Sequence, residues 1–369
     1  MTKKLFAVCA VAALIVSLTG STLAHEEKSA QPGEKIERSL IVDAQATITL
    51  CVASGTLTVN GWDKNEVRVR STDAAQIEFR RIEKVKDTTK PPSRVDVMVF
   101  DKTTPARPRL DCQAVASVEM EIPAGATVQV QTRDGDIMIS GVAGAYAGSQ
   151  NGDITIQRAT KLVEAGSVGG SISLRDSSGR VFLNSAGGGV EAINIKAAAA
   201  DDTFEVGTVS GDIQLDRVSN PRVMAKTVNG TLYMSGPLAK KGYYSFSNVT
   251  GDVEISMPRD ASFQLNAKVS EKHNILSDFP LKYINEPMPP APAATPKPAP
   301  RSAPEATPKP PAAKGKPLPK TGPVVEPIVV EKPVLPVPYV LRRVTAICGT
   351  GDAILSIATF GGTVRLKKL

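Results

Sequence analysis

The chain has 369 residues, a formal net charge of +7 and only 4% aromatic residues. Most of the positive charge lies between Pro287 and Arg343, where nine basic residues accompany three acidic ones. The rest of the chain is close to neutral, so it offers no basic face for a phosphate backbone, and we predict no nucleic-acid partner.

The N-terminal residues resemble a secretory signal. Two lysines precede an apolar run from Leu5 to Leu18, and small residues follow it. We predict a signal peptide over residues 1–24 and a linker over residues 25–44. The apolar run is short for a membrane span, and Cys9 lies inside it, where a lipid attachment site would not be placed. The sequence predicts an exported protein, periplasmic or at the cell surface, without a transmembrane segment in the mature chain.

Residues 45–127 contain an irregular version of a repeat that becomes regular further along the chain. Ser54-Gly55-Thr56-Leu57 matches the later turn units. Alternating apolar residues predict further strands at 67–69, 95–100 and 118–122. We predict that this part caps the N-terminal end of the fold. Trp62 is expected to cover apolar surface there rather than to stack on a ligand.

Three cysteines remain after the predicted cleavage, namely Cys51, Cys112 and Cys348. An oxidising compartment permits a disulfide. Cys51 with Cys112 is the preferred pair because both lie in strand-like segments before the regular repeats. Spacing does not fix the connectivity, so three buried free thiols are an equal alternative.

Eight units share a glycine, one spacer and an aliphatic residue that opens a short strand. Their glycines are Gly135, Gly152, Gly170, Gly188, Gly211, Gly230, Gly251 and Gly362. The first seven are 17 to 23 residues apart, which is enough for a complete coil. Asn or Asp before a glycine is typical of hairpin turns, but identical columns at this interval favour parallel stacking. We assign these glycines a structural role in the turn, where positive φ costs glycine little.

The positions around each glycine form consistent columns. The first and third residues after the spacer are apolar, and the strand upstream carries an inward apolar column from Val130 to Ile357. Two residues later come small polar residues, Thr132, Ser149, Ser167, Ser185, Thr208, Thr227, Asn248 and Thr359. We predict that these side chains hydrogen-bond one another from coil to coil. The outward column of the downstream strand shares no chemistry and predicts no binding face.

Residues 282–343 interrupt the repeats with proline and lysine. Eighteen of the chain's 28 prolines lie from Pro287 to Pro338, which favours polyproline II or disorder over a packed core. We predict a disordered insertion, after which residues 344–369 form the last coil. The whole pattern predicts an all-β, single-domain parallel β-helix or β-solenoid with coils of about 17–23 residues. It is irregular over 45–127 and regular over 128–281.

A column of aspartates accompanies the glycines and is the candidate for chemistry. Its members are Asp136, Asp153, Asp212 and Asp252, and other residue types interrupt them. Stacked carboxylates repel one another in water, and no arginine or lysine recurs beside them. A turn-stabilising role is favoured over a metal or catalytic role. The two histidines are too few for a zinc site or a catalytic triad, and no cofactor is predicted.

The chain resembles a bacterial family in the order and number of several short motifs. They are Gly61-Trp62-Asp63, Glu121-Ile122-Pro123, the Gly-Asp-Ile units, Ser277-Asp278-Phe279 and Phe360-Gly361-Gly362-Thr363. They are similar to the putative-adhesin β-strand-repeat family, domain of unknown function 4097, over residues 45–281 and 344–369. The resemblance implies a parallel β-helix or solenoid and no established activity, cofactor or catalytic residue. The proline-rich insertion departs from the family's usual compact ending.

We therefore predict a non-enzymatic exported scaffold or adhesin-like protein that binds an unidentified envelope or surface macromolecule. The insertion is interpreted as a solvated spacer in preference to a contact with anionic envelope polymers. One alternative is a polysaccharide-acting β-helix enzyme that uses the aspartate column and has a basic residue in its cleft. A second alternative is a self-assembling structural protein, which would need uncapped ends.

Overall fold

The computed structural model describes residues 35–82, 89–101, 112–270, 274–284 and 341–369. The predicted signal peptide, much of the predicted linker and most of the proline-rich insertion lie outside these residues. The described part of the chain contains 27 β-strands and no helix. It therefore has no helix with the length and apolar character needed to cross a membrane.

The first thirteen strands are β1 (Ile36–Ile41), β2 (Thr47–Ser54), β3 (Leu57–Trp62), β4 (Glu66–Ser71), β5 (Ala74–Arg81), β6 (Arg94–Asp101), β7 (Val118–Pro123), β8 (Thr127–Asp134), β9 (Ile137–Ser140), β10 (Gly144–Ser149), β11 (Ile154–Gln157), β12 (Leu162–Ser167) and β13 (Ile172–Arg175). The others are β14 (Arg180–Ser185), β15 (Val190–Ile195), β16 (Thr203–Ser210), β17 (Ile213–Val218), β18 (Arg222–Asn229), β19 (Leu232–Ser235), β20 (Tyr243–Thr250), β21 (Val253–Met257), β22 (Phe263–Ser270), β23 (Ile275–Ser277), β24 (Lys282–Tyr283), β25 (Leu341–Cys348), β26 (Ala353–Gly361) and β27 (Val364–Lys368).

These strands form two long sheets. The first has thirteen strands in the order β1-β4-β7-β3-β9-β11-β13-β15-β17-β19-β21-β27-β23. The second has fourteen strands in the order β24-β25-β22-β26-β20-β18-β16-β14-β12-β10-β8-β2-β6-β5. Each regular coil contributes one strand to each sheet.

Neighbouring coils stack in parallel and in register. Ile154 in β11 pairs with Ile137 in β9 on one side and with Ile172 in β13 on the other. A hairpin meander would instead pair consecutive strands antiparallel. The structure therefore confirms the predicted all-β architecture of parallel coils.

One hydrophobic core runs between the sheets, because alternate side chains of every strand point inward. The stacked residues Ile137, Ile154 and Ile172 are at most 1% exposed. The largest fully buried side chains are Phe204, Tyr244, Phe246 and Phe263. A single coil cannot bury both of its faces, so each coil depends on its neighbours for stability.

The chain changes sheets at two corners in every coil. The predicted glycines occupy one of them, which we call the glycine corner. At the opposite corner, one residue of each coil has a left-handed backbone, namely Gly141, Arg158, Asp176, Asn194, Arg217 and Gly236. Most of these are not glycine, and no sequence column predicted them. Asn194 Nδ2 donates to Asp176 Oδ1 at 2.6 Å, so side chains link the coils at this corner too.

Near each end of the stack, the order of the coils in space differs from their order in the sequence. At the N-terminal end, β2 and β3 lie beside β8 and β9, and the later strands β6 and β7 lie outside them. At the C-terminal end, β26 and β27 insert between β20 and β21 on one side and β22 and β23 on the other. The coil formed by β26 and β27 is therefore the last coil in sequence but not the outermost, because β22 and β25 lie outside β26. This corrects the prediction that residues 344–369 form the last coil, since residues 344–348 belong to β25.

The repeat motif explains this order. Thr359 pairs in register with Asn248, and Gly362 stacks directly on Gly251, so the inserted coil continues both columns. Val269 occupies the equivalent polar position in β22. The coil that carries the full motif stacks on the regular coils, and the coil that lacks it is left outside.

Antiparallel strands close the stack at both ends. β1 pairs with β4 and β5 pairs with β6 at one end, while β25 pairs with β22 and β24 at the other. β1 falls within the segment 25–44 that was predicted to be a linker. It forms a strand because Ile36 and Leu40 pack against the core.

Trp62 lies at the end of β3, which is the fourth strand from the edge of its sheet. Its Nε1 donates to the Glu66 carbonyl oxygen at 2.8 Å. The cations of Lys64 and Arg68 lie 4.9 Å and 4.6 Å from the ring centroid. The ring is thus engaged by its own segment through cation–π contacts.

We expect alkaline pH to weaken the fold at Tyr244. This buried hydroxyl accepts a hydrogen bond from the Ala239 N–H at 2.7 Å, and burial raises the pKa of Tyr244 above its ordinary value. The neutral phenol therefore contributes stability that is fully present below about pH 10 and is lost as the pH rises through the folded pKa. Tyr244→Phe should flatten this loss in urea titrations above pH 10. Tyr243→Phe, the control, should leave it unchanged.

Candidate functional site

The predicted turn glycines lie where neighbouring coils approach closely. A Cβ on Gly170 would be 2.1 Å from the carbonyl oxygen of Gly152, and a Cβ on Gly188 would be 2.3 Å from that of Gly170. The same contact recurs along the column at 1.7 to 2.6 Å. Of the eight glycines, only Gly230 and Gly251 have φ in the left-handed region, at +155° and +122°. The close approach of neighbouring coils therefore accounts for all eight glycines, whereas positive φ accounts for only two of them. This corrects the prediction that the turn needs glycine for its positive φ.

Buried polar side chains join the glycine corners of successive coils. Ser167 Oγ accepts a hydrogen bond from the Gly170 N–H at 2.9 Å and donates to the Gly152 carbonyl at 3.1 Å. Donation to the glycine carbonyl of the neighbouring coil recurs at Ser149, Ser185, Thr208, Thr227 and Asn248. The prediction that these side chains bond one another was wrong, because the peptide groups of the corner are nearer partners.

The carboxylates of the aspartate column lie at the same corner and also bind the backbone of a neighbouring coil. Asp136 Oδ1 accepts the Asp153 N–H at 2.9 Å, and Asp153 Oδ1 accepts the Ser171 N–H at 2.7 Å. The equivalent bonds, at 2.6 and 2.8 Å, join Asp212 to Thr231 and Asp252 to Thr363. Each carboxylate therefore accepts a backbone N–H from the next coil of the stack.

An open depression of about 340 Å³ lies on the first sheet where the aspartate column is interrupted. Asp153 and Asp212 lie at its two ends, three strand spacings or about 14 Å apart. Glu191 also lines it and forms an ion pair of 2.6 Å with Arg175. Among the described residues, no lysine or arginine lines this depression and no group of three potential ligands could hold a metal ion.

Cys51 and Cys112 are joined by a disulfide in the structure, with their Cα atoms 4.8 Å apart. The bridge ties β2 to the segment that leads into β7. Cys348, in β25, is a buried free thiol. Burial raises the pKa of Cys348, which lowers the reactivity of this thiol.

We expect thiol counts to follow this arrangement. After unfolding without reductant, the chain processed at residue 24 should react once with a thiol reagent, and after reduction it should react three times. The native protein should react slowly because Cys348 is buried. Cys348→Ser should remove the single thiol seen without reductant. Three reactive thiols without reductant would instead support the alternative of free cysteines.

The second sheet carries a larger groove of about 450 Å³ across β2, β8, β10, β12 and β14, which we call the sheet-face groove. Gly148 and Gly166 pair in register at its floor. Tyr146 and Phe182 lie along one side, with Glu164 between them in the intervening strand. The groove runs along the stacking direction, across the strands.

Several polar side chains of the sheet-face groove are not used by the fold. Gln129, Gln131, Glu164 and Asn184 make no side-chain hydrogen bond or ion pair within the described part of the chain. Thr49 Oγ1 is buried beside them and also has no partner there. This distinguishes the groove from the aspartate column, whose carboxylates are engaged.

A family model matches the sequence over most of the described coils. The sequence matches the model of the Toastrack DUF4097 family over residues 48–272. The chain belongs to the Toastrack DUF4097 family. This confirms the resemblance drawn from the motifs. No curated protein matches the sequence of this Toastrack chain.

The solved structures to which this Toastrack chain is similar have low sequence identity to it. A putative cell adhesion protein from Clostridium sporogenes is 9% identical, and the match covers 91% of this chain and 100% of that one with a TM-score of 0.19. A putative adhesin from Bacteroides fragilis is 10% identical, with coverages of 91% and 98% and a TM-score of 0.32. A putative adhesin from Parabacteroides merdae is 9% identical, with coverages of 61% and 90% and a TM-score of 0.38. Similarity at this level assigns no ligand and no mechanism.

The groove residues of this Toastrack domain were not predicted, although the sequence contains a signal for them. In the upstream strand of each coil, the residues on either side of an inward apolar residue point outward. Around Ala147 and Ala165 these outward neighbours include two glycines in adjacent coils, beside Tyr146 and Glu164. The outward column of the downstream strands shows no such pattern. A small residue repeated in adjacent coils between larger ones identifies a groove.

Proposed function

We propose that this Toastrack protein is an exported, non-enzymatic, adhesin-like scaffold that binds an envelope or surface macromolecule. The observation that carries the proposal is the contrast between two sets of polar groups. The side chains of the Gly-Asp-Ile units bind the backbone of the next coil, whereas those of the sheet-face groove have no internal partners. A rigid stack thus presents free polar and aromatic groups on one face.

The geometry of the aspartates supports a non-enzymatic role. Paired carboxylates of glycosidases lie about 5 to 9.5 Å apart, and Asp153 and Asp212 are about 14 Å apart along the stack. Adjacent aspartates are nearer, but their Oδ1 atoms already accept backbone N–H groups. The basic residue expected of a lyase cleft does not line the depression within the described residues.

Export is part of the proposal and rests on two observations. The N-terminal sequence has the order of a secretory signal, and the Cys51–Cys112 disulfide is compatible with an oxidising compartment. The proposed organisation is a signal peptide at 1–24, a short linker, a solenoid that starts at β1, and a proline-rich spacer before β25.

The ends of the stack favour a discrete particle over an end-to-end filament. The strands β23 and β24 at one end are short, and antiparallel strands lie at both ends.

Binding to isolated bacterial envelopes tests the proposed function. Purified protein should co-sediment with envelope fragments in a saturable manner, and unlabelled protein should compete. Light scattering should show no growth of filaments over the same concentration range. Failure to bind envelopes, or concentration-dependent growth, would contradict the proposal.

A glycan panel tests the enzymatic alternative. We expect no release of products from neutral or acidic polysaccharides. Asp153→Ala should lower the free energy of unfolding by about 1 kcal/mol, because the Ser171 N–H loses its acceptor. Asp153→Asn retains Oδ1 and should lower it less. Product release by the parent protein that Asp153→Asn abolishes would favour the enzyme.

A further inference from the structure

We infer that the sheet-face groove binds an extended, uncharged glycan chain. The inference rests on the proposed function and assigns a ligand class to it. The groove crosses five strands, so it is about 19 Å long. That length suits several consecutive sugar units lying along the stacking direction.

The glycines of the groove floor are not required by packing. A Cβ on Gly166 would meet only the Asn184 carbonyl oxygen, at 3.9 Å, and one on Gly148 would meet only Gln131 Cγ, at 3.7 Å. Neither glycine has a left-handed φ. Glycine within a strand lowers stability relative to a residue with a side chain. What these glycines provide is an open floor, in contrast with those of the glycine corner.

The aromatic side chains of the groove are spaced for alternate sugar rings. Tyr146 and Phe182 occupy the same outward column two strands apart, at about 9.5 Å. Phe182 is 45% exposed, so a ring face is available to a ligand. The C–H faces of pyranose rings pack on aromatic rings, and burying Phe182 would remove apolar surface from water.

The unpartnered polar groups fit hydroxyl groups. Gln129, Gln131 and Asn184 each offer both donors and acceptors, while the carboxylate of Glu164 only accepts. Sugar hydroxyls donate and accept, so one glycan can satisfy both kinds of group.

Other polymers fit this chemistry less well. Glu164 is the only charged side chain among the described lining residues, and it would repel an anionic polymer. A proline-rich peptide can dock on aromatic residues, but it supplies few N–H donors for Glu164. Strand addition is excluded at the floor because β10 is already paired with β8 and β12.

Calorimetry of the purified protein with neutral hexasaccharides tests the inference. The probes are β-1,4-glucan, β-1,3-glucan, α-1,4-glucan and N-acetylglucosamine hexamers, compared with a galacturonate hexamer and a proline-rich peptide. We expect binding to at least one neutral hexamer in preference to the other two classes. Phe182→Ala should weaken it about tenfold. Gly166→Leu should abolish it, because the new side chain fills the floor.

The variants have a matched control for folding. Gly166→Leu has open space around its Cβ and should keep or raise the melting temperature. Ser247→Leu alters the same outward column in β20, outside the groove, and should leave binding unchanged.

Three results would each overturn the inference. They are unchanged hexamer binding by folded Gly166→Leu, no binding of the parent protein to any neutral hexamer, and preferential binding to the galacturonate hexamer or the peptide. If envelope binding persists in those cases, only the inference fails. If the parent protein binds neither envelopes nor hexamers, the proposed function fails as well.

Discussion

Gly170→Ala should lower the free energy of unfolding by more than about 3 kcal/mol. The new methyl group would lie 2.1 Å from the Gly152 carbonyl oxygen and 2.9 Å from the Asp153 nitrogen. Both are backbone atoms of a coil that is itself held by the next one, so neither can move away cheaply. Gly170 has no left-handed φ, so the loss of stability would come from the contact between coils and not from backbone strain. Urea denaturation and hydrogen exchange across β10 to β15 would record it.

Gly166→Ala is the matched control for this prediction. It places the same methyl group four residues earlier in the same coil, where only the Asn184 carbonyl lies near, at 3.9 Å. Because alanine restricts the unfolded chain more than glycine does, stability should rise by about 0.5 to 1 kcal/mol. If both variants unfold at the same urea concentration as the parent, the contact at the glycine corner does not limit the spacing of coils.

Removal of residues 341–369 should unfold β22 and β23 as well as the deleted strands. β26 and β27 lie between these strands and the regular coils, so the truncation removes two coil interfaces instead of one. It also removes the large buried side chains Leu355, Ile357, Val364 and Leu366, each worth about 1.5 to 3 kcal/mol. Hydrogen exchange should show loss of protection over Phe263–Ser270, while β9 to β15 stay protected. Retained protection in β22 would contradict the insertion of the last coil.

Replacing residues 285–340 with a short flexible linker is the control for the truncation. The Ile284 N–H donates to the Thr345 carbonyl at 2.9 Å, so the chain leaves the fold close to β25. Leu341 lies four residues from Thr345 in an extended strand, about 13 Å away, and about eight Gly and Ser residues can span this distance. The shortened protein should stay within about 1 kcal/mol of the parent. Unchanged envelope binding would favour the spacer interpretation of the insertion, and lost binding would favour a contact.

The repeat could be predicted because its signals are local. Alternation of apolar residues defines which faces are buried, and the interval between glycines defines one coil. Val130 and Ile137 were therefore placed in the core, and both are buried. The hydroxyl column was placed correctly but given the wrong partners. A single coil does not reveal that the Gly152 carbonyl of the neighbouring coil lies within reach of Ser167.

The sequence by itself determined the all-β class, the coil length and the columns that face the core. It also contained the motifs of the Toastrack DUF4097 family. Only the tertiary structure decided the order of coils, because the choice of neighbour is non-local and depends on which coils complete the glycine and hydroxyl columns. Thr359 and Gly362 of the inserted coil continue these columns, whereas Val269 of the outer strand β22 stands at the polar position. The sheet-face groove likewise exists only once five strands from separate coils lie side by side.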